Sequence, residues 1–191
     1  VGLAARLESL AAGGAQEGSA AGLPELEFAG ARLGVAFTYE DLDTYDEYDY
    51  DVDVIVYVSG YGFAVDDPSS ALGSSLTEGR FLADAEATGA WVVGVGSLGC
   101  YDGQVFAGSS FVLAPWGELA AQAPAFEEAL LVCEVDPSAE GPLAEPLAPE
   151  VYDAPLMAWG ALTAGLSAAV RDAGAQGACS VLDGSLGSLL V

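Results

Sequence analysis

The sequence lacks lysine, histidine and asparagine, and its only basic residues are Arg6, Arg32, Arg80 and Arg171, against 29 acidic residues. The formal net charge of −25 repels phosphate backbones and anionic lipid headgroups. Nucleic acid and an anionic membrane surface are therefore excluded as partners. A basic partner chain, a high-salt cytoplasm and a compositionally biased genome all remain open as reasons for the acidity.

Cysteine is also scarce. Cys100, Cys133 and Cys179 form no C-x-x-C pair, and the usual zinc-binding sets cannot be assembled without histidine. We therefore expect neither a metal nor another cofactor. Scattered cysteines favour a reducing compartment, which predicts a cytoplasmic protein. Cys133 lies in an apolar segment and is expected to be a core thiol.

Long hydrophobic runs are missing, although 52% of the residues are hydrophobic and the mean hydropathy is +0.40. No run of eighteen apolar residues occurs, so the sequence predicts no membrane-spanning helix. The length of 191 residues suffices for one domain with a sizeable core, or for one domain plus a fragment. The apolar excess suggests a large buried interface.

The first half of the chain predicts alternating strands and helices. Residues 1–23 favour a short helix and a linker, and residues 24–42 predict two strands around the turn Ala29-Gly30-Ala31. Residues 52–96 predict a β-α-β unit. Its helix would have Ser75 or Thr77 as its cap and would end at Gly89.

An acidic, tyrosine-rich run lies between these elements. In DTYDEYDYDVD, which covers residues 43–53, Tyr45, Tyr48 and Tyr50 are interspersed with acids. Such a run is typical of a solvated loop. A docking surface for a basic partner is the functional alternative, because tyrosine supplies contact area at low entropic cost. Calcium binding would lack the glycine and terminal glutamate of an EF-hand loop.

Residues 91–136 predict a β-meander. Short apolar strands, WVVGVG, SFVLA, ELAAQA and ALLVCEVD, are separated by a polar turn over 97–103 and a tight turn at Pro115-Trp116-Gly117. A proline-rich linker, 137–155, follows with five of the nine prolines. The tail, 156–191, predicts a helix over 156–172, a turn at Gly174, a short strand ACSVL and a Gly/Ser loop.

The order of these motifs resembles the glutaminase domain of glutamine-dependent NAD synthetases, in the nitrilase superfamily. There a G-x-Q-D-x-x-V-F-x-G-x-S segment precedes a D-x-x-G-x-L turn and A-P-x-F-E-E-x-L, as in GSLGCYDGQVFAGSSFVLAPWGELAAQAPAFEEAL here. The tail is similar to the start of the synthetase domain. The resemblance implies an α/β fold: a partial nitrilase-like α-β-β-α sandwich over 24–136, then a helical and strand stub of a truncated synthetase-like domain over 156–191.

The same resemblance implies that the catalytic groups are lost. Glutaminases of this superfamily use a cysteine in G-V-x-x-C-E-D-L, a glutamate base and a lysine. Aligning Glu40-Asp41-Leu42 places Tyr39 at the thiolate position, and a one-residue shift places Thr38 there. A phenol with a pKa near 10 is a poor acyl acceptor, and the sequence contains no lysine. We predict no catalytic residue, and a relict pocket formed by Tyr39, Glu40 and the turn residues Cys100, Tyr101 and Asp102.

A second family motif is also altered. The nucleotide loop S-G-G-x-D-S corresponds to Asp183-Gly184-Ser185-Leu186-Gly187-Ser188. In this alignment Asp183 places a carboxylate where pyrophosphate would bind, and Gly187 replaces the aspartate of the motif. Electrostatic repulsion therefore argues against ATP binding.

Together these observations favour a pseudoenzyme. Its expected role is that of a structural or regulatory subunit, assembled as a homo-oligomer or within a larger enzyme complex. Two alternatives remain open: a glutaminase or amidase subunit completed by another chain, and a small-molecule binding module that reuses the relict pocket.

Overall fold

A computed structural model describes residues 23, 25–48, 50–67, 72–151, 153–181 and 183–189. Most of the described chain up to residue 122 forms a mixed sheet with helices on one face. The sheet has the strand order β1-β2-β3-β4-β7-β8, and a separate hairpin pairs β5 with β6. The strands are β1 (Glu25–Phe28), β2 (Ala31–Ala36), β3 (Val54–Ser59), β4 (Trp91–Gly96), β5 (Leu98–Tyr101), β6 (Gln104–Ala107), β7 (Phe111–Leu113) and β8 (Leu119–Gln122). The helices are α1 (Tyr39–Glu47), α2 (Leu72–Thr77), α3 (Arg80–Thr88), α4 (Ala154–Asp172) and α5 (Leu186–Leu189).

The first part of the sheet follows the predicted pattern. β1 and β2 pair antiparallel around Ala29 and Gly30, whose φ angles are both positive. β2, β3 and β4 are parallel, which confirms the β-α-β unit. Its connection is two helices instead of one, because Gly79 adopts a left-handed conformation between them. Gly89 ends α3, as expected.

One face of the sheet carries the main core. Ile55, Tyr57, Val92 and Phe111 are fully buried there beneath α1, α2 and α3. Every second residue of β3 points to this face, since side chains alternate along a strand. The opposite face is also apolar, which is typical of parallel strands. Trp116 and residues 133–143 pack against part of this second face.

The predicted meander needs two corrections. Residues 97–103 contain strand β5 and the turn of a β-hairpin instead of a simple polar turn. Residues 129–136 form no strand. Cys133 and Val135 are half-buried against the second face of the sheet, and Leu130 and Val132 are almost fully exposed. The apolar alternation is thus real, but the backbone lacks the paired neighbour that defines a strand, and Cys133 is no core thiol.

The tail agrees with the sequence in its helix and in the turn at Gly174, whose φ is +64°. α4 covers the predicted range and is capped by Asp153, whose side chain accepts a hydrogen bond from Leu156 N at 2.8 Å. Residues 178–181 form no strand, because no neighbouring strand pairs with them among the described residues. The predicted helix and linker over 1–23 lie outside the described residues except for Leu23. Within the described part of the chain, no helix combines the length and apolarity needed to cross a membrane.

The two edges of the large sheet differ. β1 is a four-residue edge strand that exposes Glu25 and Glu27. At the other edge, Leu147 of the proline-rich segment forms an isolated bridge with Leu119 of β8. The proline-rich segment therefore covers part of the β8 edge.

Candidate functional site

The end of β2 is where the resemblance places the nucleophile. β2 ends at Ala36, and α1 begins three residues later at Tyr39. Thr38 is the N-cap of α1 and Asp41 completes a capping box. The polar side chains at this strand-to-helix junction thus have a structural role, because they satisfy backbone N–H groups that a helix start leaves unpaired.

The polar groups at the junction are engaged by the backbone. Thr38 Oγ1 accepts a hydrogen bond from Asp41 N at 3.2 Å. The Asp41 carboxylate accepts from Phe37 N at 2.8 Å and from Thr38 N at 2.9 Å. The oxygens of Thr38 and Asp41 thus hold the start of the helix in place.

The other candidate for the nucleophile position, Tyr39, is packed among aromatic rings. Its ring stacks on Tyr57 with centroids 5.3 Å apart and on Tyr61 at 6.2 Å. The Arg80 guanidinium lies over the same ring, 3.9 Å from the centroid, in a cation–π contact. The Tyr39 hydroxyl is 2.9 Å from Ser75 Oγ. Glu40, its neighbour in the predicted pocket, is exposed on α1.

The partners of Tyr39 were not identified from the sequence. Burial raises the pKa of the fully buried Tyr57, with Tyr39 and Tyr61 as further causes. The alternation of VIVYVS could have placed Tyr57 on the core face of β3. No comparable signal points to Ser75 or Arg80, because they reach Tyr39 from helices far along the chain.

The predicted pocket residues of the meander lie in the hairpin. Cys100 is half-buried in β5 and pairs with Val105 of β6. Tyr101 is exposed, and Asp102 forms the turn with a φ of +50°. Tyr61, which stacks on Tyr39, is two residues from Phe63, whose N–H donates to Val105 O at 2.6 Å. Because the β5–β6 hairpin is separate from the large sheet, Cys100 belongs to a different sheet from β2, the strand that leads to Tyr39.

The tyrosine-rich run is a loop only in its second part, because Tyr48 and the described residues 50–53 follow the end of α1. Residues 43–47 belong to α1, and Tyr45 is 1% exposed. Its hydroxyl accepts from Val35 N at 2.8 Å and donates to Val35 O at 3.3 Å. Gly34 makes room for the ring, because a Cβ at that position would lie 2.6 Å from it. The loop interpretation was wrong for residues 43–47, because the Tyr45 ring packs into the core despite the acids that flank it.

Packing inside the protein leaves fewer of these tyrosines available to dock a partner. Tyr50 packs edge-on against Tyr45, with ring centroids 5.0 Å apart, and is half-buried. Among the three tyrosines, only Tyr48 is exposed, at 51%. Tyr45 therefore cannot contact a partner.

The predicted nucleotide loop forms a closed turn. Asp183 Oδ1 accepts a hydrogen bond from Ser185 N at 2.9 Å, and hydrogen bonds from Ser185 and Ser188 lower the Asp183 pKa to about 2. Ser188 N donates to Ser185 Oγ at 3.3 Å. Gly184 has a φ of +82°, whereas Gly187 belongs to the four-residue α5. The N–H groups of Ser185 and Ser188, which could have faced an anion, are thus bonded within the loop.

A cavity of about 260 Å³ lies elsewhere, under the proline-rich segment. Its apolar walls include Leu76, Leu113 and Leu147. Tyr39, Glu40 and Cys100 do not line it. Among the described residues, no group of three or more cysteines and acids is placed to hold a metal ion.

Comparison with one solved structure, at a TM-score of 0.59, supports the fold. The glutamine-dependent NAD⁺ synthetase from Acinetobacter baumannii, solved with ADP, matches 80% of this chain with a TM-score of 0.59 and 19% identity. The amidase from Nesterenkonia sp. AN1 matches 53% of the chain with a TM-score of 0.44 and 19% identity. The present chain covers 28% of the synthetase and 37% of the amidase. No match was found among curated protein sequences.

The family comparison covers well over half of the sequence. The model of the carbon-nitrogen hydrolase family matches residues 20–145. This range contains the whole six-stranded sheet, the capped junction at Thr38 and the β5–β6 hairpin. The chain therefore belongs to the carbon-nitrogen hydrolase family.

Proposed function

We propose that this chain is a non-catalytic structural or regulatory subunit that acts through protein–protein assembly. The main support for this proposal is the set of contacts at the junction between β2 and α1. Thr38 and Asp41 hold the start of α1 through a capping box, and Tyr39 is held by rings, a guanidinium and Ser75. Each candidate for the nucleophile position thus has a structural role.

The remaining groups also support a non-catalytic role. An acyl-transfer site needs an activated nucleophile and donors for the developing oxyanion. Cys100 is the thiol nearest to a family motif, and it lies in the small hairpin, paired with Val105. The sequence supplies no lysine. Restoring the reaction would require several new groups in register, which a single substitution cannot provide.

Exposed apolar side chains support the assembly part of the proposal. Leu130, Val132, Val151 and Val181 are each at least 80% exposed. Four further large apolar side chains are about half exposed or more on α4. Scattered exposed apolar residues are ordinary, but contiguous ones mark interaction surfaces. The enzyme that such a subunit would join is proposed to be of the glutamine-dependent synthetase type, in line with the likeness in fold.

The catalytic half of the proposal is tested by measuring ammonia release from glutamine and from short aliphatic amides. The matched control is a chain in which Cys100, Cys133 and Cys179 are all replaced by serine. We expect both proteins to show the same background rate. Release of ammonia by the native chain that is lost in the triple serine chain would establish a thiol enzyme and overturn the proposal.

The assembly half is tested by native pull-down from the source cell, with mass spectrometry of the intact complexes. Recovery in a defined stoichiometric assembly, with copies of itself or with a larger enzyme, is the expected result. If the protein is recovered as a monomer and binds a small metabolite saturably, a binding module is favoured instead. Ammonia release that appears only in a recovered complex and disappears with Cys100→Ser would favour the subunit of a composite amidase.

A further inference from the structure

The cavity under the proline-rich segment has leucine walls from three parts of the chain. Leu76 and Leu82 come from α2 and α3, Leu113 and Leu119 come from β7 and β8, and Leu147 belongs to the segment itself. Leu113 and Leu119 are each 2% exposed and form the inner wall, whereas Leu147 is about half exposed and forms the outer wall. The volume is about 260 Å³. Protein interiors keep few voids larger than a water molecule, so a space of this size is suited to a ligand.

Hydrogen bonds fix the proline-rich segment over the cavity. Leu147 N donates to Leu119 O at 2.8 Å. Three residues further along the chain, Glu150 N donates to Gln122 Oε1 at 3.0 Å, and Glu150 O accepts from Thr77 Oγ1 at 3.0 Å. The segment is thus tied both to β8 and to α2. A wall that is held in place before binding spares a ligand the cost of ordering the chain around it.

The charge at the cavity is negative. Among the described residues that line it, Glu118 alone is charged. Its Oε2 accepts hydrogen bonds from Trp116 Nε1 and from Leu143 N, both at 2.6 Å, and no described residue donates to its Oε1. A second carboxylate is close, since a Cβ added to the lining residue Gly117 would lie 3.4 Å from Glu86 Oε1. None of the ion pairs within the described part of the chain involves Glu118 or Glu86.

We propose that this cavity binds a small organic cation, namely a primary amine with an apolar body. The ammonium group lies at Glu118, where a charge-assisted hydrogen bond to Oε1 completes the carboxylate, and the hydrocarbon body lies against the leucines. Carboxylates beside the cavity attract a cation and repel an anion. A metal ion is a poor occupant, because leucine walls cannot supply the six or more oxygen ligands of a hard cation.

The volume sets the size of the amine. A cavity of about 150 Å³ holds benzene, so by proportion 260 Å³ accommodates about ten non-hydrogen atoms. A phenylalkyl amine has this size. A ligand of about ten atoms should bind with a dissociation constant on the order of 0.1 mM. The inference goes beyond the proposed function, since Tyr39 and Thr38 of the β2–α1 junction do not line the cavity.

The first test is isothermal titration calorimetry of the full chain with phenethylamine in about 0.15 M NaCl, which screens general attraction to the acidic surface. We expect saturable one-to-one binding. Three matched probes separate the contributions of charge and body. Phenethyl alcohol, which lacks the charge, should bind at least about fivefold more weakly. Phenylacetate, an anion, and methylamine, a cation without the apolar body, should show no saturable binding.

The second test locates the ligand by substitution. Leu82→Trp enlarges a wall residue that is 37% exposed, and it should weaken phenethylamine binding at least about tenfold by filling the cavity. Leu162→Trp, at an exposed position of α4, is the matched control and should have no effect. Circular dichroism and the unfolding midpoint of each variant verify that the fold is retained.

Glu118→Gln tests the charged end separately. Glutamine keeps an oxygen that can accept from Trp116 Nε1 and Leu143 N, but it carries no charge. The substitution should weaken phenethylamine binding at least about fivefold and leave the affinity for phenethyl alcohol unchanged. Glu127→Gln, at an exposed position outside the cavity, is the control and should alter neither affinity.

The outcomes separate this inference from the proposed function. Absence of saturable phenethylamine binding overturns the site, and so does binding that Leu82→Trp leaves intact in a folded variant. Equal affinity for phenethylamine and phenethyl alcohol overturns the amine as the ligand class. Amine binding by a protein that is recovered in a stoichiometric complex supports both proposals. Amine binding by a protein that is recovered as a monomer supports the cavity site and overturns the assembly role.

Discussion

The sheet region, residues 25–123, and the trailing region, residues 124–189, are both rich in hydrophobic residues but use them differently. Among the residues that the structure describes, all of the buried hydrophobic ones except Ala168 lie in the sheet region. The trailing region exposes most of its large apolar side chains, among them Leu130, Val132 and Trp159. Hydrophobic residues thus form a core in the sheet region, where helices cover the sheet. In the trailing region they remain largely exposed on the surface.

The difference has a physical origin in the connections. In the sheet region, parallel strands and their helices bring apolar faces together from distant parts of the sequence. In the trailing region, α4 is capped locally by Asp153, and Asp136 accepts hydrogen bonds from its neighbour Ser138. Individual longer hydrogen bonds, such as Trp91 Nε1 to Asp136 O at 3.2 Å and Leu147 N to Leu119 O at 2.8 Å, tie this region to the sheet without extending it by a further strand. Stability should therefore depend on the first region and association on the second.

The largest expected effect tests the core directly. Phe81 is fully buried, with ring contacts to Tyr39, Tyr57 and Phe111. Phe81→Ala should lower the free energy of unfolding by about 3–5 kcal/mol, because it removes a buried ring and leaves a cavity. Leu162→Ala, at an exposed position of α4, should change the free energy of unfolding by less than about 0.5 kcal/mol at low protein concentration. Urea unfolding followed by circular dichroism measures both. Equal losses would show that the two regions are not distinct.

The next effect concerns Asp84, a half-buried acid on α3. Burial raises its pKa to about 6, against the opposing influence of Arg80 and with further raising by Asp43 and Asp46 of α1. The folded state then binds more protons than the unfolded state between about pH 4 and pH 6. The contribution of Asp84 to the free energy of unfolding should therefore fall by about 2 kcal/mol as the pH rises through this window.

Asp84→Asn tests this contribution. The substitution should reduce the fall in the free energy of unfolding across about pH 4–6. It should also raise the free energy of unfolding at neutral pH by about 1–2 kcal/mol, since an amide carries no charge to bury. Glu86→Gln, exposed on the same helix, is the matched control and should leave the profile unchanged. Denaturant midpoints measured at several pH values give the comparison. An unaltered profile in Asp84→Asn would assign the pH dependence to other groups.

A smaller effect distinguishes two tyrosines of the acidic run. Tyr45→Phe removes the hydroxyl that bonds both backbone groups of Val35, and it should cost about 1–2 kcal/mol. Tyr48→Phe, at a half-exposed position, should cost almost nothing. If Tyr45→Phe also has no effect on thermal unfolding, Val35 must find another hydrogen-bond partner.

The smallest effect lies at the junction of β2 and α1. Thr38→Ala removes one half of the capping box and should lower stability by about 1 kcal/mol, whereas Thr38→Ser should retain it. Guanidinium unfolding can resolve this difference. Greater stability in Thr38→Ala would mean that the hydroxyl serves something other than the fold, and it would weaken the structural assignment of this residue.

Local signals made part of the fold predictable. The β1–β2 hairpin, the parallel pair β3–β4 and the tight turn at Pro115-Trp116-Gly117 follow from apolar runs punctuated by glycine and proline. α4 follows from its capping aspartate and its alanine-rich composition. Strands 129–136 and 178–182 were predicted wrongly where the structure describes them, because pairing depends on a neighbouring chain segment that local sequence cannot supply.

The candidate site was less accessible to sequence reasoning. The motif located the junction at Thr38 and Tyr39, but it could not show that Arg80 and Ser75 would reach the tyrosine from separate helices. The burial of Tyr45 depended on the gap left by Gly34 one strand away. Both are tertiary contacts, which composition and periodicity do not encode.

The exposed glutamates of β1 have a consequence for solubility. An edge strand offers unpaired backbone groups to other chains, and charged side chains discourage such pairing. Glu25 and Glu27 place such side chains along this edge, and the chain as a whole has a sequence pI of about 4.1. As the pH approaches the pI, the net negative charge that keeps copies of the chain apart disappears. Acidification should therefore favour edge-to-edge strand addition and β-rich aggregates, whereas at neutral pH the short acidic strand keeps the sheet from growing.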